Sequence, residues 1–236
     1  MGQPDQFAKR TFAVETAVLT HGAVTWKDPP EISLTHIQGD GTLLVRRSSR
    51  QPDLDPPWGY AHGHDEIQLE IKMAGDHLGL AAIERILLRR QARQVERVED
   101  TEAPFSGQGP VWTVAPIVPA VLRNVWKIRA SARGCYQVRG FVFPFLWIAA
   151  NELPLRDDLV PFLVARSGRA LDEFGRWVAT RRPATWVLDM VQYTAMSTSA
   201  RARVINSVET DDPEVVAARP TSCSSSSPST PSSSRR

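Results

Sequence analysis

The chain has 236 residues, 42% hydrophobic and 23% charged, a globular balance long enough to bury a real core in one large domain or two small ones. Its 28 Lys and Arg stand against 26 Asp and Glu, a net charge of +2 that excludes a histone-like polycation or an acidic-tail protein while leaving room for a local basic face. Two cysteines, Cys135 and Cys223, build neither a disulfide framework nor a zinc site by themselves. The polar stretch from Met1 to Arg10 has no signal-peptide character. The longest apolar run, Phe141 to Ala150, is broken by Pro144 and falls short of the roughly 20 residues of a membrane span. These features predict a soluble cytoplasmic protein without a membrane partner. Only Lys9, Lys27, Lys72 and Lys127 are lysines; the other 24 basic residues are arginines, which fork onto phosphates and carboxylates but which a GC-rich gene also favours.

In chain order, Asp5 caps an expected first helix, Gln6 to Leu19, and Gly22 suits its stop. A short strand of mixed faces follows around Ile32 to Gln38. Gly39-Asp40-Gly41 is a tight hairpin turn, and Thr42 to Arg46 a second strand. Ser48 to His64 is a loop rich in Pro, Asp and Gly. Glu66 to Met73 alternates strictly, with Ile67, Leu69, Ile71 and Met73 on one face and Glu66, Gln68, Glu70 and Lys72 on the other, as a third strand does. A helix is expected from Leu78 to Glu99, with Leu80, Ile83, Leu87, Val95 and Val98 as its apolar stripe. After a Pro/Gly-rich loop comes a buried strand, Val111 to Val118.

The later part reads differently. Phe141 to Ala150 is a buried strand or helix start. Three short amphipathic helices follow, at about Asp157–Arg166, Arg169–Arg181 and Ala184–Tyr193, punctuated by Ser167-Gly168 and Pro183. Phe162, Phe174, Trp177 and Trp186 on them are expected as packing residues. From Thr221 the chain reads TSCSSSSPSTPSSSRR, which offers almost no apolar surface to offset the entropy of ordering; a disordered tail is expected over 209–236. The expected organisation is an α/β core of α+β type over 1–135, a strand and helical extension packed on it over 136–208, and the tail.

Chemistry concentrates on the third strand. Glu70-Ile71-Lys72 places a carboxylate and an ammonium on one face, because side chains repeat every second residue. Phosphodiester hydrolysis needs a carboxylate for a hard divalent cation and gains from a cation near the attacking water or the developing charge. Glu and Lys also alternate on many solvent-facing strands, so the tripeptide alone says little.

The order helix, three-strand meander with Glu-x-Lys on the third strand, helix, strand resembles the core of the PD-(D/E)xK nuclease superfamily over residues 6–118, and within it the Rpn-like, transposase-associated branch. The resemblance implies a magnesium-dependent nuclease acting on DNA or RNA. It implies Asp40 and Glu70 as metal ligands and Lys72 as the residue that orients water or stabilises the transition state. Antiparallel pairing would bring the start of strand two, with Asp40, beside the end of strand three. Asp53, after Pro52, and Asp55 and Asp65 stand in the loop as alternative first ligands.

Gln91, on the apolar stripe of the second helix, is expected to face the site, with a hydrogen-bonded core glutamine as the other reading. Glu15 on the first helix is a possible accessory, or else a surface glutamate. Arg85, Arg89, Arg93 and Arg97 follow one another at i+4 on the second helix, where like charges repel and Glu84, Glu96 and Glu99 only partly compensate. A phosphate backbone would relieve that repulsion, so they are candidate nucleic-acid contacts; the alternative is a solvated face. His62-Gly63-His64-Asp65-Glu66 superficially resembles the metal motif of metallo-β-lactamase-like hydrolases, but Asp65 follows His64 directly and the final His is missing. The competing functional class is a catalytically inactive nuclease-like core, or an α/β protein–protein interaction module whose helical part binds another protein.

Overall fold

The computed structural model describes residues 40–45, 54–99 and 109–208. The expected helix at 6–19, the strand at 32–38, Glu15, Asp53 and the tail lie outside the described residues.

Among the described residues the chain builds a mixed sheet of six strands with helices on both faces, an α+β architecture. Strands β1 (Gly41–Leu44) and β2 (Glu66–Ile71) pair antiparallel, with Gly41 opposite Leu69 and Leu44 opposite Glu66. Helix α1 (Leu80–Glu99) crosses over to β3 (Val111–Ala115), which runs parallel to β2. A short helix α2 (Ala120–Val125) leads into β4 (Lys127–Ala132) and β5 (Cys135–Arg139), and then β6 (Phe145–Ala149) returns to the centre parallel to β3. The order across the sheet is β1-β2-β3-β6-β5-β4. Helices α3 (Val160–Leu163), α4 (Gly168–Val178), α5 (Ala184–Tyr193) and α6 (Thr198–Ser207) complete the described chain.

Strands β3 and β6 read VWTVA and FLWIA and are buried at every position, as parallel strands covered on both faces are. One face packs Ile67, Trp112, Val114, Leu146 and Ile148 against Leu163, Leu171 and Phe174 of the C-terminal helices. The other packs Val111, Ala115, Phe145 and Trp147 against Ile83 and Ile86 of α1 and Leu122 of α2. Phe174 is fully buried and lies edge-on to Trp186, and Phe162 meets Trp58 and Trp112, so the aromatic residues of the helical part pack as expected. Trp58 also donates to the Asp158 carbonyl, which ties the loop before β2 to the start of the helical part. Gly175 lets α4 and the α5–α6 turn meet closely, since a Cβ there would stand 2.3 Å from the Met196 methyl.

Three expectations are corrected. The hairpin β4–β5 within residues 127–139 was not foreseen; Gly134, at φ +71°, turns it where a side chain would meet Leu153 and the Ala149 carbonyl. The sheet does not stop near residue 135: β6, from the segment expected as an extension, sits beside β3 at its centre. The buried stripe of α1 is Ala82, Ile83, Ile86 and Arg90, while Leu80, Val95 and Val98 are exposed. The helix is turned so that its arginines reach the acidic face of β2. No described helix is long and apolar enough to cross a membrane.

Arg166 illustrates how the helical part is fixed. It is 4% exposed and donates to the carbonyls of Ala150, Leu153 and Ala170, joining the end of β6 to the start of α4. Burial pulls its pKa below the usual arginine value, so the charge is retained at a desolvation cost that the carbonyls offset. Arg166→Met keeps the stem but orphans the carbonyls. It is expected to cost about 3 kcal/mol and to lower the thermal midpoint by about 6–12 °C, measured by calorimetry; an unchanged midpoint would show that water replaces the guanidinium.

Candidate functional site

Strand β2 alternates, and in the fold its charged face is turned inward. Glu66, Gln68 and Glu70 are 8%, 7% and 0% exposed. The helix that covers them is α1, because a strand–helix–strand crossover lays its helix over the sheet it has just left. An acid buried in this way needs cationic partners, and α1 supplies them at i+4 intervals. Arg89 Nη1 donates to Glu70 Oε2 at 2.7 Å. Arg93 forks onto Glu66, with Nε and Nη2 at 2.8 and 2.9 Å from its two oxygens. Arg97 donates to Asp65 at 2.8 Å. The bidentate pair holds the Arg93 pKa further up, chiefly through the hydrogen bonds it donates to Glu66.

The expected Asp–Glu–Lys set comes together at the end of β2. The β1–β2 register puts Asp40, just before Gly41, next to the last residues of β2. Asp40 Oδ2 accepts the Ile71 amide at 2.7 Å. Lys72 Nζ donates to Glu70 Oε2 at 3.3 Å and lies 3.8 Å from Asp40 Oδ2, so one ammonium serves both carboxylates. The Lys72 amide bonds the Val114 carbonyl, which fixes that residue against β3. Asp40 and Lys72 keep side-chain exposures of 37% and 16%, so solvent meets them while Glu70 lies behind.

Glu70 is over-constrained. Both cations sit on Oε2, and Oε1 is buried with no hydrogen-bond partner. Thr113 is opposite Glu70 in the β2–β3 register, fully buried, and its hydroxyl oxygen is also unpartnered, as is Gln68 Oε1. Burial raises the Glu70 pKa, the Asp40 charge raises it further, and Arg89 and Lys72 pull it down without cancelling the rise.

The other predicted residues are placed elsewhere. Gln91 is exposed and accepts from Arg90; the residue of α1 that meets Glu70 is Arg89. Arg85 is exposed on the same helix. Of the alternative first ligands, Asp55 pairs with Arg156 and Asp65 with Arg97, and Asp53 lies outside the described residues; among the described aspartates Asp40 is the one beside Lys72. Of the arginine row, only Arg93 pairs with one of the expected helix glutamates, Glu96, among the described ion pairs; Arg89, Arg93 and Arg97 also pair with acids of β2 and the residue before it, which the sequence reading did not expect. Thr113 was missed, although a hydroxyl in the otherwise apolar VWTVA is a visible signal. The complement of arginines at i+4 and acids at 65, 66 and 70 was visible too.

His62 and His64 do not form a metal cluster. They line a cavity of about 530 Å³ with Tyr60, Trp112, Arg139 and Phe143, at the opposite ends of β3 and β6 from the Glu70 end. Among the described residues no group of three or more His, Cys, Asp or Glu is placed to hold a metal ion. A divalent ion at Asp40 and Glu70 would therefore complete its shell with water and substrate oxygens, as magnesium ordinarily does. The orphaned Glu70 Oε1 and the hard, all-oxygen donor set fit such an ion.

The raised pKa makes Glu70 a stability liability. Above its raised folded pKa the carboxyl is charged in both folded and unfolded chains, and the folded charge is the less favourable. The penalty shrinks as pH falls through the raised folded pKa and is gone below about 4.3, where the unfolded carboxyl is protonated as well. Glu70→Gln keeps an acceptor for Arg89 and Lys72 and puts an amide donor where Oε1 lacks a partner. Its melting temperature is expected to exceed the wild type's at pH 7, by about 2–4 °C per kcal/mol relieved, and to converge with it near pH 4. A lower melting temperature at pH 7 would make the ion pairs net stabilising.

No family model matches the chain, and neither a curated protein nor a solved structure matches it.

Proposed function

We propose that this chain is a magnesium-dependent nuclease of PD-(D/E)xK type, hydrolysing phosphodiester bonds of DNA or RNA. The observation that carries the reading is a single ammonium, Lys72, within reach of two carboxylates, one of them fully buried with an unpartnered oxygen. Strained, desolvated carboxylates of this kind cluster at functional sites. The location adds support, since open α/β sheets bind ligands outside the carboxyl ends of their strands, and Lys72 directly follows β2.

In this reading Asp40 and Glu70 hold the metal. Bound there, magnesium would polarise a phosphoryl oxygen and lower the pKa of a coordinated water. Lys72 holds its ammonium beside both carboxylates, where it orients the attacking water or offsets charge growing on the phosphoryl oxygens. Hydrolysis joins the water oxygen to phosphorus, breaks one P–O ester bond and leaves a proton on the departing hydroxyl. Thr113, across from Glu70 on β3, adds a buried hydroxyl next to that position.

A second reading is favoured by a specific observation: Arg89, Arg93 and Arg97 each pair with an acid, which alone would staple α1 to β2 in a catalytically inactive, nuclease-like interaction module. The two readings part in one assay. Supercoiled plasmid and single-stranded DNA and RNA are incubated with the protein and magnesium, with EDTA as control. The nuclease reading expects metal-dependent cleavage that falls at least about a hundredfold in Glu70→Gln and in Lys72→Met, with both variants folded by circular dichroism. Absence of cleavage by the folded wild type on every substrate would leave the stapled module standing.

A further inference from the structure

The four charged groups of the site, Asp40, Glu70, Lys72 and Arg89, sum to zero. The two cations are not held alike. Lys72 contacts both carboxylates and its amide is bonded to β3, so its ammonium has a second acid besides Glu70. Arg89 contacts Glu70 alone among the described acids, at 2.7 Å, from a side chain 27% exposed on the mid-turns of α1. It is a long, flexible cation at the edge of the site, bound to Oε2 of the carboxylate that a metal would share.

A divalent ion on Asp40 and Glu70 would take the set from zero to +2. At contact distances, like charges in a partly buried site repel strongly. The ion and the Arg89 guanidinium therefore compete for Glu70. A phosphodiester brings the negative charge that resolves the competition, and a guanidinium forks readily onto phosphate oxygens.

We infer that Arg89 is a latch that occupies Glu70 in the metal-free protein, competes with the divalent cation for it, and moves to a phosphate of the nucleic acid when metal binds. This rests on the metal-dependent reading above and adds its regulation: metal and nucleic acid bind cooperatively because Arg89 changes partner between them. Linkage makes the effect reciprocal, so each ligand tightens the other by the same factor.

The test titrates Mn2+ by calorimetry into the full chain, with and without a phosphorothioate oligonucleotide that resists cleavage. Wild type, Arg89→Met, Arg176→Met and Glu70→Gln are compared. Arg176 is exposed on α4, on the other face of the sheet, and controls for the loss of one positive charge. Arg89→Met is expected to bind Mn2+ alone more tightly than wild type by roughly 5- to 150-fold. The oligonucleotide should tighten Mn2+ binding to wild type by a similar factor, and to Arg89→Met by much less. Arg176→Met should behave as wild type, and Glu70→Gln should lose Mn2+ binding. If Arg89→Met does not fold, Arg89→Gln, which drops the charge and keeps a donor, takes its place. Equal Mn2+ affinity in Arg89→Met and wild type, or equal tightening in Arg89→Met and Arg176→Met, overturns the latch while a cleaving wild type keeps the nuclease. Failure of the wild type both to bind Mn2+ with oligonucleotide and to cleave overturns the nuclease reading, and the latch with it.

Discussion

The arrangement of this protein turns on a buried carboxylate. Glu70 lies on the inward face of β2, beneath α1, with two cations on one oxygen and nothing on the other. That position follows from connectivity. Strands β2 and β3 are parallel, so the chain between them must cross the sheet, and the crossing helix covers whichever residues β2 turns that way. Here those residues are Glu66, Gln68 and Glu70. A helix with an ordinary apolar stripe could not cover them without leaving charges unpaired at several kcal/mol each. Helix α1 instead meets the sheet along two tracks: Ile83 and Ile86 on Trp147 and its neighbours, and Arg89 and Arg93 on the acids. Arg90, 5% exposed, closes the far end by donating to Gly109 and stacking on Phe143 with its guanidinium carbon 4.0 Å from the ring centre.

The two faces of the sheet thus divide the work. The face toward α3–α6 is dry and aromatic, and it carries most of the apolar burial that stabilises the fold. The face toward α1 mixes apolar contact with ion pairs and keeps four unpartnered polar atoms, on Gln68, Glu70, Gln94 and Thr113. Unsatisfied polar atoms this deep are rare in folded proteins, and each calls for a water, an ion or a strained function to explain it. Glu70 and Thr113 lie opposite each other near Asp40 and Lys72, while Gln94 lies beside Gly109. The ion pairs at Glu66 and Asp65 are geometrically complete; the one at Glu70 is not.

Secondary structure was legible where its pattern was long. The strict alternation from Glu66 to Met73 and the length of the Leu78–Glu99 segment gave β2 and α1 within two residues of their observed ends. The hairpin β4–β5 escaped because KIRASA and CYQVR carry charges on half-exposed faces at the sheet's edge, where burial does not impose a clear period. The stripe of α1 was misread because Val95 and Val98 look like core positions. Their exposure and the burial of Arg90 reflect what lies beneath the helix, not the helix itself.

The residues Asp40, Glu70 and Lys72 were nameable from the chain alone, since a turn before one strand and the end of an antiparallel partner must meet, and Glu-x-Lys must share a face. The α+β class followed from the same periodicities. Which way Glu70 faced, and at what depth, was decided only in three dimensions. The sequence treats the even positions of β2 as a polar face and Arg89 as one of four like charges on a line. Folding brings the line and the face together and converts a helix-surface repulsion into ion pairs. It also gives Glu70 an opposite neighbour, Thr113, that lies 43 positions away along the chain. Local pattern fixes the period of a strand or helix; only packing between elements fixes which side is buried, and the burial is what turns an ordinary carboxylate into a strained one.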